Sequence, residues 1–153
     1  MIKKTVPTRP ELVCPAGTPA ALRTAVDAGA DAVYCGFQNA TNARNFAGLN
    51  FTVDEMEQGI GYAHEHNKKV LLVLNTFPPA GETSLWKKAI EDGVRLGVDA
   101  FIVADMGVAD YIAQKHPKKR LHLSVQAGAA SAEAINFYCR AFNVQRVVLP
   151  RIL

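Results

Sequence analysis

Short apolar runs alternate with amphipathic helical stretches along this chain, and the alternation restricts its fold more than any other feature. Residues 69–75 contain an unbroken apolar run at 70–74, as expected for a parallel strand covered on both faces. Residues 27–33 and 95–101 resemble one another, because in both a helix ends at glycine and an aspartate precedes the next apolar run. Six such strands separated by five helices predict a parallel sheet with right-handed crossovers.

The predicted fold class is α/β, a parallel (β/α) TIM-barrel-like arrangement with six of the eight strands present. A complete barrel takes about 250 residues, whereas this chain has 153. We therefore interpret residues 1–153 as the N-terminal part of a barrel domain. An open, doubly wound sheet is the alternative.

The loop after the second predicted strand, residues 41–52, is rich in amide and guanidinium groups. It includes Asn42, Arg44 and Asn45, and it ends at Thr52, which forms a predicted capping box with Glu55. Such side chains either bond to one another in a surface loop or bind a ligand. Sites in parallel α/β folds collect at the carboxyl ends of the strands, and this position favours a binding loop.

The other predicted strands also end in polar residues, so we expect a substrate-binding rim at this edge of the sheet. Along the fifth strand, alternation places His122, Ser124 and Gln126 on one face. That row either lines a pocket or bonds to neighbouring strands. No catalytic residue is assigned. The predicted substrate-binding residues are Asn42, Arg44, Asn45, Asn75, Asp105, Ser124, Gln126 and Arg151.

Composition excludes several classes of protein. No apolar run approaches the ~20 residues of a membrane span, and no apolar signal segment follows the basic N-terminus, so a cytoplasmic protein is expected. The formal net charge of +3 is modest, and its lysine clusters lie near element boundaries, so a nucleic-acid partner is not expected. Cys14, Cys35 and Cys139 have no metal-binding spacing, and no metal site is predicted.

Several segments resemble the collagenase-like peptidase family U-32, and among its members the UbiU-like branch. The opening motif, residues 12–17 with 29–34, marks the whole family, whereas the Asn-Ala-Arg loop is specific to that branch. The segments that carry the resemblance are 12–17, 29–34, 41–52, 74–77, 124–127 and 147–151.

The resemblance implies a subunit of an oxygen-independent hydroxylase that acts on the aromatic ring of a ubiquinone precursor. It implies a heterodimer with a UbiV-like partner and, in the full-length protein, a 4Fe-4S cluster held by four cysteines downstream of residue 151. The cysteines present here do not match those ligands, so no cofactor is expected in this chain, the cluster-binding part is expected to be absent, and activity of the chain alone is not expected. Relatives act on RNA bases or are described as proteases. The alternatives are therefore an RNA-base hydroxylation factor, a U-32-type peptidase and a non-catalytic partner-binding module, although the chain has no Ser-His-Asp grouping.

Overall fold

The structure, a computed structural model, describes residues 9–151. The first part of the predicted N-terminal arm and the last two residues lie outside the described residues. The strands are β1 (Val13–Pro15), β2 (Ala32–Cys35), β3 (Lys69–Leu74), β4 (Ala100–Val103), β5 (Arg120–Leu123) and β6 (Val144–Val147). The helices are α1 (Pro19–Asp27), α2 (Val53–Glu65), α3 (Ser84–Leu96), α4 (Met106–Lys115) and α5 (Ala132–Phe142).

The strands form one parallel sheet in the order β1-β2-β3-β4-β5-β6, so each strand pairs with the next one in sequence. A doubly wound sheet reverses its strand order at a switch point, and this order has no reversal. The sheet also curls, which brings its two ends within reach of one another. Arg146 on β6 donates a hydrogen bond to Glu11, which lies just before β1. The predicted partial barrel is therefore confirmed, and the doubly wound alternative is wrong.

The two faces of the sheet have different environments. The outer face carries the large buried side chains, among them Leu72, Phe101 and Leu121, which belong to the core shared with the helices. The inner face carries a smaller apolar cluster of Ala32, Leu71 and Ala100. Because the small cluster leaves room above it, the inner face can hold a cavity as well as packed side chains.

The helix boundaries follow from capping residues, of which the sequence indicated the box of Thr52 and Glu55. Thr52 accepts a hydrogen bond from the backbone N–H of Glu55, whose carboxylate accepts one from the N–H of Thr52 in return. Asp105 and Ser131 cap α4 and α5 through their side chains alone. Gly97 ends α3 in the left-handed conformation, with φ of 86°. Within residues 9–151, no helix has the length and apolar character that crossing a membrane requires.

Two strands end earlier than the apolar pattern indicated. β5 stops at Leu123, and residues 125–127 form a single 3₁₀ turn that Ser124 caps by accepting a hydrogen bond from the N–H of Gln126. Gln126 is therefore on a turn and not on the strand, which corrects its predicted placement. β6 likewise ends at Val147, although the apolar run continues to Leu149.

Candidate functional site

A cavity of about 460 Å³ lies on the inner face of the sheet, where the strands reach their carboxyl ends. Its apolar part is formed by Tyr34, Leu71, Val73 and Ile102, which lie on three neighbouring strands. Polar residues from the loop after β2 and from the ends of β3 and β5 form the rest of the wall. The cavity thus combines an apolar surface with a polar rim, as small-molecule sites do.

The loop after β2 is fastened to the sheet at both of its ends. Phe37 and Phe51 form an isolated parallel bridge, and the N–H of Phe51 donates to the carbonyl of Gly36 at 3.1 Å. The N–H of Asn50 donates to the carbonyl of Gly17 at 2.6 Å. The loop is therefore tied to the segments that follow β1 and β2, both of which contribute to the cavity wall.

Inside the loop, two buried asparagines are joined by one hydrogen bond, and each also bonds to the backbone of Arg44. The Asn42 amide donates to Oδ1 of Asn50 at 2.7 Å, and the Asn50 amide donates to the carbonyl of Arg44 at 2.8 Å. Oδ1 of Asn42 accepts from the N–H of Arg44 at 3.0 Å. These amides order the loop, as the self-bonded alternative predicted, and the network holds the backbone of Arg44 at the cavity.

Asn75, the first residue after β3, joins this loop to the next strand. Its Oδ1 accepts a hydrogen bond from the N–H of Ala43 at 2.9 Å. The side-chain hydroxyl of Thr76 donates to the carbonyl of Ala40. The loop that carries Arg44 is therefore tied to the end of β3, while the Arg44 guanidinium has no protein partner among the described residues.

The structure brings together five of the eight predicted binding residues and places the other three elsewhere. Asp105 does not line the cavity, because its carboxylate caps α4 by accepting from the N–H of Val108 at 2.9 Å. Asn45 and Arg151 are exposed and are not part of the cavity wall. The residues that do line it are Asn42, Arg44, Asn75, Ser124 and Gln126.

Sequence reasoning missed one charged group in the wall. Arg146 lies beside His122 in the register of β5 and β6 and lines the cavity with it. Glu11 accepts hydrogen bonds from Arg146 and from Lys69, and the bond from Arg146 is the largest cause that lowers the pKa of its carboxyl. Alternation placed His122 on the inner face, but no pattern in the sequence marked Glu11 or Arg146.

The described cysteines do not fit a metal cluster. Cys35 faces the outer core, its thiol contacts the sulfur of Met56 at 3.5 Å, and burial raises its pKa to about 12. Cys139 lies on α5, on the far side of the sheet from the cavity lining. Residues 9–151 contain no group of three or more side chains that could hold a metal ion. The ligands of an iron–sulfur cluster are therefore not found in this part of the chain.

Comparisons with known proteins agree on one family for this chain. The sequence profile of Peptidase family U32 matches residues 17–153. The chain is 39% identical over 144 residues to tRNA hydroxylation protein P of Helicobacter pylori. That alignment covers 94% of this chain and 33% of the relative. It is 30% identical over 143 residues to a collagenase of Porphyromonas gingivalis, and this alignment also covers 94% of this chain and 33% of the relative. The chain thus spans about a third of the length of these relatives.

A solved structure supports the architecture. Citrate synthase SbnG aligns with a TM-score of 0.60 and 12% identity, over 91% of this chain and 59% of that one. At that identity the likeness concerns the fold alone. It agrees with a sheet of consecutive parallel strands whose helices pack on the outer face.

Proposed function

The chain belongs to peptidase family U32, and we propose that it forms the substrate-binding part of a hydroxylase that acts on a planar ring. In the finer form of this proposal, the substrate is an aromatic ubiquinone precursor. The hydroxylase is then a UbiU-like subunit in a heterodimer with a UbiV-like partner, and the iron–sulfur cluster implied for the full-length protein takes its ligands from outside the described residues.

The cavity is the observation that carries this proposal. A volume of about 460 Å³ is in the range of sites for small molecules and cofactors. Its apolar surface of Leu71, Val73 and Ile102 suits the face of a ring, and its rim presents donors to the substituents of that ring. A ring placed there would be held by burial and oriented by hydrogen bonds.

Arg44 is the residue best suited to orient a substrate oxygen. Its guanidinium offers several N–H donors in one plane, which match a phenolate or carboxylate oxygen. The Asn42–Asn50 pair and Asn75 hold its backbone in place before any ligand arrives. Such preorganisation reduces the entropy cost of binding. Gln126, exposed on its turn, supplies a second polar group to the cavity wall.

An RNA base is the second candidate substrate, and the name of the Helicobacter relative favours it. A flipped-out base is also a planar ring with polar edges, so the same cavity suits it. A base inside RNA also requires contacts to the phosphate backbone, which call for a basic surface around the mouth. The net charge of +3 is small for such a surface, and we therefore rank the small-molecule substrate first.

A peptidase function has less support from the described residues. Ser124 and His122 both line the cavity, but the Ser124 hydroxyl accepts from the N–H of Gln126 and no hydrogen bond joins it to His122. A serine nucleophile needs a histidine within hydrogen-bond reach and a third group that orients the histidine. Within residues 9–151, that arrangement is absent from the cavity.

The proposal is tested with the intact protein and its UbiV-like partner in an anaerobic cell extract, which supplies the donor of the oxygen atom and the two-electron oxidant. We expect a phenolic quinone precursor to gain one oxygen atom, seen as a mass increase of about 16 Da by mass spectrometry. Parallel reactions contain unmodified tRNA or denatured collagen. Hydroxylation of tRNA alone would establish the second candidate, and cleavage of collagen alone would overturn the hydroxylase proposal.

A further inference from the structure

His122 is a buried polar group that the contacts of the structure leave unsatisfied. It lies on β5, its residue is 2% exposed, and its side chain forms part of the cavity wall. Its Nε2 atom is enclosed and has no hydrogen-bond partner among residues 9–151. A buried polar atom without a partner is costly, so native proteins rarely keep one without a reason.

The groups around His122 explain why it is neutral. Arg146 lies beside it on β6, Arg120 precedes it on β5, and Lys69 begins β3, while Glu11 is engaged by Arg146 and Lys69. Burial is the main cause that lowers the pKa of His122 to about 4, and the charges of Arg146 and Arg120 add to it. At neutral pH the imidazole therefore has one N–H donor and one acceptor nitrogen.

The pairing with Arg146 limits which ligand group fits here. An ammonium group would be repelled by Arg146 and Lys69. An ether or carboxylate oxygen can only accept, so it suits the imidazole only where the N–H faces the ligand. A hydroxyl group can donate to the imidazole while its oxygen accepts from Arg146. Since its oxygen can also accept from an imidazole N–H, the hydroxyl is the group among these that suits Arg146 together with either tautomer of His122.

We propose that His122 is a positioning residue that accepts a hydrogen bond from a hydroxyl substituent of the bound ring, so that the cavity selects hydroxylated rings. This inference rests on the proposed function, since it specifies the substrate class of the same cavity. The side chain already forms part of the wall, so a turn of the imidazole about χ2 brings a ring nitrogen to the ligand. Arg146, held by Glu11, supports the oxygen of the same hydroxyl group.

Binding of two small probes tests the proposal in the intact protein. Phenol and anisole share a ring and an oxygen, but only phenol has a hydrogen to donate. We expect the parent to bind phenol about three to ten times more tightly than anisole, the range of one neutral hydrogen bond. His122→Phe should bind both probes equally, and His122→Gln should recover part of the preference for phenol. Arg140→Ala, on the outer helix α5, is the control and should keep the preference of the parent.

A second measurement does not depend on how well a variant folds. In the parent labelled with ¹⁵N-histidine, addition of phenol should shift the ring-nitrogen signals of His122 and leave those of His64, His66 and His116 in place. Equal binding of the two probes by the parent, an unchanged preference in His122→Phe, or unmoved His122 signals would each overturn the proposal. If hydroxylation persists while these tests fail, the proposed function stands and this inference falls. If the probes behave as expected but no ring is hydroxylated, the proposed hydroxylase function falls and His122 keeps its role in binding a hydroxyl group.

Discussion

Glu11 and Arg146 are 135 residues apart in sequence, yet their side chains form an ion pair that joins the beginning of β1 to β6. The two groups lie on the inner side of the curled sheet, and Lys69 contacts the same carboxylate. This contact connects the two outermost strands of the described sheet across its concave face. It also fixes the guanidinium that lies beside His122.

Removing the charge of Glu11 should weaken the closure of the half-barrel. We expect Glu11→Gln to lower the free energy of unfolding by about 1 kcal/mol, the upper range for a partly exposed ion pair. Because the pKa of Glu11 is lowered, its contribution is complete above the ordinary carboxyl pKa and is lost as the pH falls further. Urea unfolding at pH 7 and at acidic pH measures both effects. Glu57→Gln, an exposed change on α2, is the control, and equal losses in the two variants at pH 7 would contradict the prediction.

Gly36 should not tolerate a methyl group. A Cβ atom there would lie 2.4 Å from Nδ2 of Asn42 and 2.8 Å from its Cγ, so the buried amide would have to move. We expect Gly36→Ala to cost about 2 kcal/mol, because the displaced amide loses its bond to Asn50. Thermal unfolding measures the loss of stability, and hydrogen exchange of the loop amides reports the displacement of Asn42. At Gly61, on the exposed side of α2, a Cβ meets nothing within 4 Å, and Gly61→Ala should instead stabilise the protein by up to ~1 kcal/mol.

Periodicity and capping residues were sufficient to predict the architecture. Continuous apolar runs such as residues 70–74 marked the strands, and the capping box of Thr52 and Glu55 marked where α2 begins. The strand ends were harder to predict, because the turn that stops β5 depends on a bond from the backbone to Ser124, and an apolar pattern does not record such a bond.

The site was only partly predictable, because several of its contacts join residues that are far apart in sequence. The rule that sites lie at strand ends found Arg44 and Asn75, but it also selected Asp105, whose carboxylate is used as a helix cap. Arg146 was missed because a register shift between β5 and β6 pairs it with His122. Neither that irregularity nor the contact with Glu11 has a local signal in the sequence.

The buried His122 should make the protein less stable in acid. The unfolded chain takes up a proton near pH 6.5, whereas the folded chain resists it until about pH 4. Stability is therefore unaffected by this group above pH 6.5 and falls as the pH decreases from 6.5 to 4, by about 3 kcal/mol in total. His122→Phe should remove most of this slope. Chemical unfolding at half-unit intervals of pH measures it, and an identical slope in parent and variant would exclude a buried neutral imidazole.

The two threonines that precede α2 and α3 offer a matched test of capping. Thr52 takes part in a complete capping box, whereas Thr83 makes no side-chain bond to its helix. We expect Thr52→Ala to lower the free energy of unfolding by about 1 kcal/mol and Thr83→Ala to change it by much less. Denaturant unfolding of the two variants side by side gives the comparison. A larger loss at Thr83 would show that the cap geometry is not what stabilises α2.

Arg44 gives the sharpest test of the cavity, because its side chain is exposed and its backbone, not its guanidinium, is what the loop uses. Arg44→Ala keeps the Asn42–Asn50 pair and the bond from Ala43 to Asn75, so its melting temperature should stay within about 3 °C of the parent. If the guanidinium orients the ring, hydroxylation by the intact protein should fall at least tenfold, the effect of about 1.4 kcal/mol in transition-state binding. Arg140→Ala, also exposed but on the outer helix α5, should keep the parent rate. Full activity in Arg44→Ala would mean that residues 41–52 only order the wall of the cavity, and that the groups that hold the ring must be sought deeper, around His122 and Arg146.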